Sequence, residues 1–134
     1  MPTAHLLDRS IGSTLPAFKT AQDVLAFEAT PYAERVAVNS TYAALQAGAA
    51  VNPNAPAIQF LAQPDPDASP QVLSHDQFMF SVTQAANMFH ALGVGPNDVV
   101  SFLLPLLPQS FITLFGAQAV GIANPVNPLL APHQ

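Results

Sequence analysis

The spacing of apolar positions changes several times along this chain, and each change marks the edge of an element. Residues 1–20 keep no sustained period, because Gly12, Ser13 and Pro16 interrupt it, and they read as an irregular arm. Helical spacing begins at Ala21–Glu28, with Thr20 placed to cap it. Pro31 fits the first position of another short helical turn. Between Ser40 and Ala50, Tyr42, Leu45 and Ala49 share one face and predict an amphipathic helix. Asn-Pro and Ala-Pro steps in Val51–Pro56 end it, since a residue before proline is pushed out of the helical region. Ala57–Leu61 reads as a strand. Gln63–Pro70, with three prolines and two aspartates, is an exposed turn, and Val72-Leu73 returns as the second strand of a hairpin.

The next helix carries the fullest set of signals. Ser74 and Gln77 form a capping box, and Asp76 adds negative charge to the first turn. Phe78, Val82, Ala85, Ala86, Phe89 and Leu92 make one apolar stripe, and Gly93 follows as the left-handed cap. Gly95–Asp98 is a turn. Val99–Leu104 is then a strand apolar on both faces, as parallel strands covered by helices tend to be. Burying five large side chains there is worth roughly 10 kcal/mol as an upper estimate, so the strand is expected to be central. A helix over Gln109–Val120, a cap at Gly121 and a strand at Ile122–Asn124 complete a crossover unit with parallel strands.

Composition narrows the class. The chain has 134 residues, of which 8% are charged against roughly 25% in an ordinary soluble domain. From Val99 to Gln134 no residue is charged, so that tract is expected to be mostly interior, and a chain this short has little else to cover it. The net charge of −5 reflects only three bases, Arg9, Lys19 and Arg35, which leaves no nucleic-acid footprint and no polybasic membrane anchor. No cysteine is present, which removes disulfides, thiolate catalysis and Cys-ligated zinc. With no export signal at the start, a reducing, cytoplasmic setting is the expectation. Prolines and asparagines interrupt the apolar tract too often for a transmembrane helix.

Four short runs, in order, carry a family resemblance. They are Leu92-Gly93-Val94-Gly95-Pro96-Asn97-Asp98-Val99-Val100, Leu103-Leu104-Pro105, Gly116-Ala117-Gln118-Ala119-Val120-Gly121, and Asn124-Pro125-Val126-Asn127-Pro128-Leu129. Upstream, Asn52-Pro53-Asn54-Ala55-Pro56-Ala57 precedes the first strand, and the capped helix follows where expected. The chain resembles adenylate-forming enzymes over residues 20–134, and is most similar to the N-terminal portion of an acyl-CoA synthetase. Two departures stand out: Leu106 where the family usually has Asn, and Asn97 where it often has Gly. The resemblance implies a ligase that makes an acyl-adenylate from ATP, with Mg, and a carboxylic (fatty) acid, then passes the acyl group to coenzyme A. It also implies what is missing. The family's Ser/Thr/Gly-rich phosphate loop, its acidic ATP-binding motifs and its C-terminal lysine have no counterpart, and the only lysine is Lys19 in the arm.

Candidates for chemistry within the chain are weak. Ser74-His75 suggests a nucleophile and base, but neighbours at a helix start rarely face each other and Ser74 is needed as a cap. His5, His75, His90 and His133 share no metal-ligand spacing. Asp65 and Asp67 suit acid–base or cation chemistry by type, and exposed turns by context. Asn39-Ser40-Thr41 matches the N-glycosylation pattern without an export signal. Gly116, inside a helix, is expected to pack closely against the sheet. Gly93-Val94-Gly95-Pro96 is no phosphate cradle, because Pro96 donates nothing and Asp98 repels phosphate. Ligands of open α/β sheets gather beyond the strands' carboxyl ends, here Pro105–Pro108 and Asn124–Asn127.

The sequence therefore predicts an α/β fold: a partial doubly wound layer, with residues 1–20 as an arm and 21–134 as the incomplete start of a large AMP-binding domain. Catalytic, cofactor-binding and metal-binding residues are expected beyond Gln134, and none is assigned within the chain. The remainder of the enzyme is the expected partner. Other readings are a stand-alone interaction module that self-associates through an exposed sheet edge, and membrane association through Val99–Leu130.

Overall fold

The computed structural model describes residues 18–35, 38–63, 65, 67–127 and 129. The chain divides into two units, Met1–Ala37 and Val38–Gln134. In the first, α1 spans Ala21–Glu28 and α2 spans Tyr32–Arg35. Thr20 caps α1 as expected, and Asp23 completes the box from the third helical position. Phe18 packs edge-to-face on Phe27, with ring centroids 5.2 Å apart. Pro31 stands just before α2 rather than within it, and its carbonyl accepts from the Glu34 N–H at 3.0 Å.

The second unit holds α3 (Thr41–Val51), β1 (Pro56–Phe60), β2 (Gln71–Ser74), α4 (His75–Ala91), β3 (Val99–Phe102), α5 (Pro108–Val120) and β4 (Ile122–Pro125). The α/β expectation holds. β1 and β2 form the antiparallel hairpin, bulged between Pro56 and Ile58, while β3 and β4 form a separate parallel pair joined through α5. α4 packs chiefly on α5, α3 lies against both, and the hairpin rests on α4. Ala49, Phe78, Val82, Ala86, Pro108 and Ala117 are the buried apolar side chains among the described residues. Phe78 meets Phe115 edge-to-face at 5.9 Å. The core is a three-helix contact.

Local signals account for the ends of α4. The Ser74 hydroxyl accepts from the Gln77 N–H at 3.2 Å, and the Gln77 side chain accepts from the Ser74 N–H at 3.0 Å. At the other end the Gly93 N–H reaches the His90 carbonyl at 2.9 Å and the Val94 N–H reaches that of Phe89 at 3.0 Å. These two bonds make a Schellman motif, which Gly93 permits with φ at +90°. Leu92 departs from the predicted stripe: it lies past the helix end and is 74% exposed.

The uncharged tract departs furthest from expectation. β3 ends at Phe102, and no residue in it is fully buried. Leu103 and Leu106 are 61% and 78% exposed, and Val99 is 56% exposed, so the roughly 10 kcal/mol expected of a central strand is not realised within this chain. The reason lies in the layers. α5 packs against β4, and among the described residues the side of the pair that carries Val99, Ser101, Ile122 and Asn124 stays exposed. Val99 pairs with Ile122 and Ser101 with Asn124 in the parallel register, and all four are exposed.

Gly116 is also corrected. A Cβ there would lie 2.6 Å from the Ala85 Cβ and 3.2 Å from the Ala86 nitrogen, so the close approach is to α4 and not to the sheet. Gly121 caps α5 through its N–H to the Ala117 carbonyl at 2.8 Å, in extended backbone. Its bareness serves the turn: a Cβ would lie 2.7 Å from the Asp98 oxygen and 2.8 Å from the Gly95 oxygen. Other boundaries shift by a residue or two, with α5 starting at Pro108 and β4 reaching Pro125.

Candidate functional site

The two loops singled out in the sequence leave the same end of the β3–β4 pair. Phe102 pairs with Pro125, and the Val126 N–H extends the ladder to the Phe102 carbonyl at 2.9 Å. Residues 105–108 and 124–127 are thereby placed at the carboxyl end of a parallel sheet. Each loop is held by local bonds. The Ser110 hydroxyl donates to the Pro105 carbonyl and accepts from the Leu107 N–H at 3.4 Å. Asn124 donates through Nδ2 to the Ser101 hydroxyl at 3.0 Å, and the Asn127 side-chain oxygen accepts from the Leu129 N–H at 3.0 Å. The last bond is an Asx turn, so Asn127 shapes its loop.

A second concavity lies between α3, β2 and the first half of α4, an open cleft of about 830 Å³. Tyr42, Gln46, Val72, Asp76, Phe80 and Thr83 are among the residues lining it. Thr83 donates its hydroxyl proton to the Met79 carbonyl at 2.8 Å, so in the 2.7 Å contact with Tyr42 the phenol is the donor. No motif in the sequence marks this cleft. The one available signal was Phe80, an aromatic residue off the α4 stripe and 64% exposed.

The remaining sequence candidates resolve into structural roles. The Ser74 hydroxyl is engaged with Gln77, and the His75 N–H donates to the Ala55 carbonyl at 3.0 Å. His75 is half-buried and His90 is exposed, while His5 and His133 lie outside the described residues. The Asp65 carboxylate accepts from the Asp67 N–H at 2.9 Å, which closes the turn. Among the described residues no three His, Cys, Asp or Glu come together to hold a metal ion. Asn39 is exposed, and Ser40 beside it caps α3 through the Ala43 N–H at 3.1 Å. No described helix is long and apolar enough to cross a membrane.

Three places where the backbone could meet a phosphate are already engaged or lack a donor. The Gly95 N–H, which a phosphate would need, is bonded at 2.8 Å to the Asp98 carboxylate. At the start of α4 the His75 and Asp76 N–H groups serve the carbonyls of Ala55 and Pro53. The start of α5 opens on Pro108, which has no N–H to give.

The family model for AMP-binding enzymes matches residues 45–134. This chain belongs to the AMP-binding enzyme family. It is 35% identical over 113 residues to a marinolic acid–CoA ligase of a Pseudoalteromonas species, a match that covers 84% of this chain and 17% of that ligase. Among solved structures, an acetoacetyl-CoA synthetase from Streptomyces lividans superposes with a TM-score of 0.59 at 28% identity, over 66% of this chain and 14% of that one. A fatty acid AMP ligase from Legionella pneumophila gives 0.63 at 20% identity, over 76% of this chain and 17% of that one, a likeness of fold. The match of fold and family bears out the resemblance drawn from the four short runs. The chain spans about a sixth of the length of the curated ligase it matches.

Proposed function

We propose that this chain is the N-terminal part of a larger, cytoplasmic acid–thiol ligase that activates a carboxylic acid, of the fatty-acid class, as its adenylate and transfers it to coenzyme A. The observation that carries the reading is the 35% identity over 113 residues to an acid–CoA ligase. On this reading residues 21–134 open the large AMP-binding domain, residues 1–20 are an arm, and the remainder of the enzyme is the partner. ATP and Mg are held by residues outside this chain, in keeping with a Gly95 turn already filled by Asp98, and coenzyme A is held chiefly there as well.

The test is an assay for pyrophosphate release and thioester formation with ATP, a fatty acid and coenzyme A. The 134-residue chain alone is expected to give none, and the polypeptide extended to the family's full length is expected to give both. Turnover by the pure short chain would overturn the reading. The loops at 105–108 and 124–127 are assigned to the wall of the acyl or coenzyme cleft of the intact enzyme, in line with their place at the strands' carboxyl ends. Asn127→Ala in the extended enzyme should then raise KM for the acid or for coenzyme A. Unchanged kinetics would leave Asn127 with its turn-forming role alone.

A second reading rests on a different observation. Val99 and Ile122 lie side by side on the uncovered face of the parallel pair, 56% and 49% exposed. Such a face and a free sheet edge suit a non-catalytic module that associates with a second copy of itself.

A further inference from the structure

We draw no further inference here: the strongest candidate, the uncovered outer face of the β3–β4 pair with Val99 and Ile122 exposed on it, carries nothing beyond the self-association already proposed, because nothing in the structure shows what covers it.

Discussion

Two glycines inside helices make opposite demands on the same methyl group. At Gly116 an added Cβ would lie 2.6 Å from the Ala85 Cβ, an atom fixed to the α4 backbone that cannot rotate away. At Gly48, in α3, it would meet nothing within 4 Å. Helix propensity favours alanine over glycine by about 1 kcal/mol at either position. Overpacking costs about 1–3 kcal/mol and opposes that gain at Gly116 alone. Gly48→Ala should therefore stabilise the fold and Gly116→Ala destabilise it, read as opposite shifts of the midpoint in thermal or urea unfolding. A midpoint raised by both substitutions would mean that α4 and α5 do not approach this closely. Sequence reasoning saw that Gly116 needed a packing reason. It had no way to tell which neighbour supplied it, because the distance between α4 and α5 is a tertiary quantity.

At the level of elements, the helix ends were the most legible features, because caps depend on groups only a few residues apart. Thr20, Ser74 and Gly93 each perform the role their spacing predicted. The cap at α1 leads to a pH-dependent expectation. The backbone N–H of Lys19 first, then the hydroxyl and N–H of Thr20, bond to the Asp23 carboxylate and hold its pKa below the usual value. A depressed carboxyl pKa gives stability that is full above the unfolded value, near 3.9, and is lost as pH falls through the folded one. The α1 cap should therefore survive mild acid and open only below that range. The Thr20 and Asp23 amide resonances, followed by NMR, should titrate with a midpoint under the ordinary aspartate value, and Asp23→Asn should abolish the step. A midpoint at the ordinary value would show that the box is not formed in solution. Strand lengths were harder to read than caps. Leu103 and Leu104 continue the apolar run past Phe102, but they have no pairing partners in β4, whose register ends at Pro125.

For the whole molecule, the governing fact is an apolar surface larger than its own helices cover. Leu103, Leu106 and Val99 stand exposed in a tract with no charge to solvate it. Sedimentation velocity on the 134-residue chain should show association that rises with concentration. The pair Val99→Asp and Ile122→Asp should weaken it, since each places a charge on the uncovered face. A monomer at every concentration would remove the interaction-module reading. It would leave the ligase reading untouched, which stands or falls on turnover by the extended polypeptide.

The sequence by itself determined the order and kind of the elements, the caps that bound the helices, the turn at Gly95–Asp98 and the family. All of these are written in short-range spacing or in consecutive runs. It also held the reason the Gly95 turn is closed to a phosphate, since Asp98 lies three residues from the Gly95 N–H it occupies. Only the tertiary structure decided which faces are covered. Burial depends on what else is packed nearby, and an apolar strand reads the same whether helices lie on both its faces or on one. The cleft between α3, β2 and α4 is a consequence of the same kind, because residues as distant in sequence as Tyr42 and Thr83 meet there through packing alone.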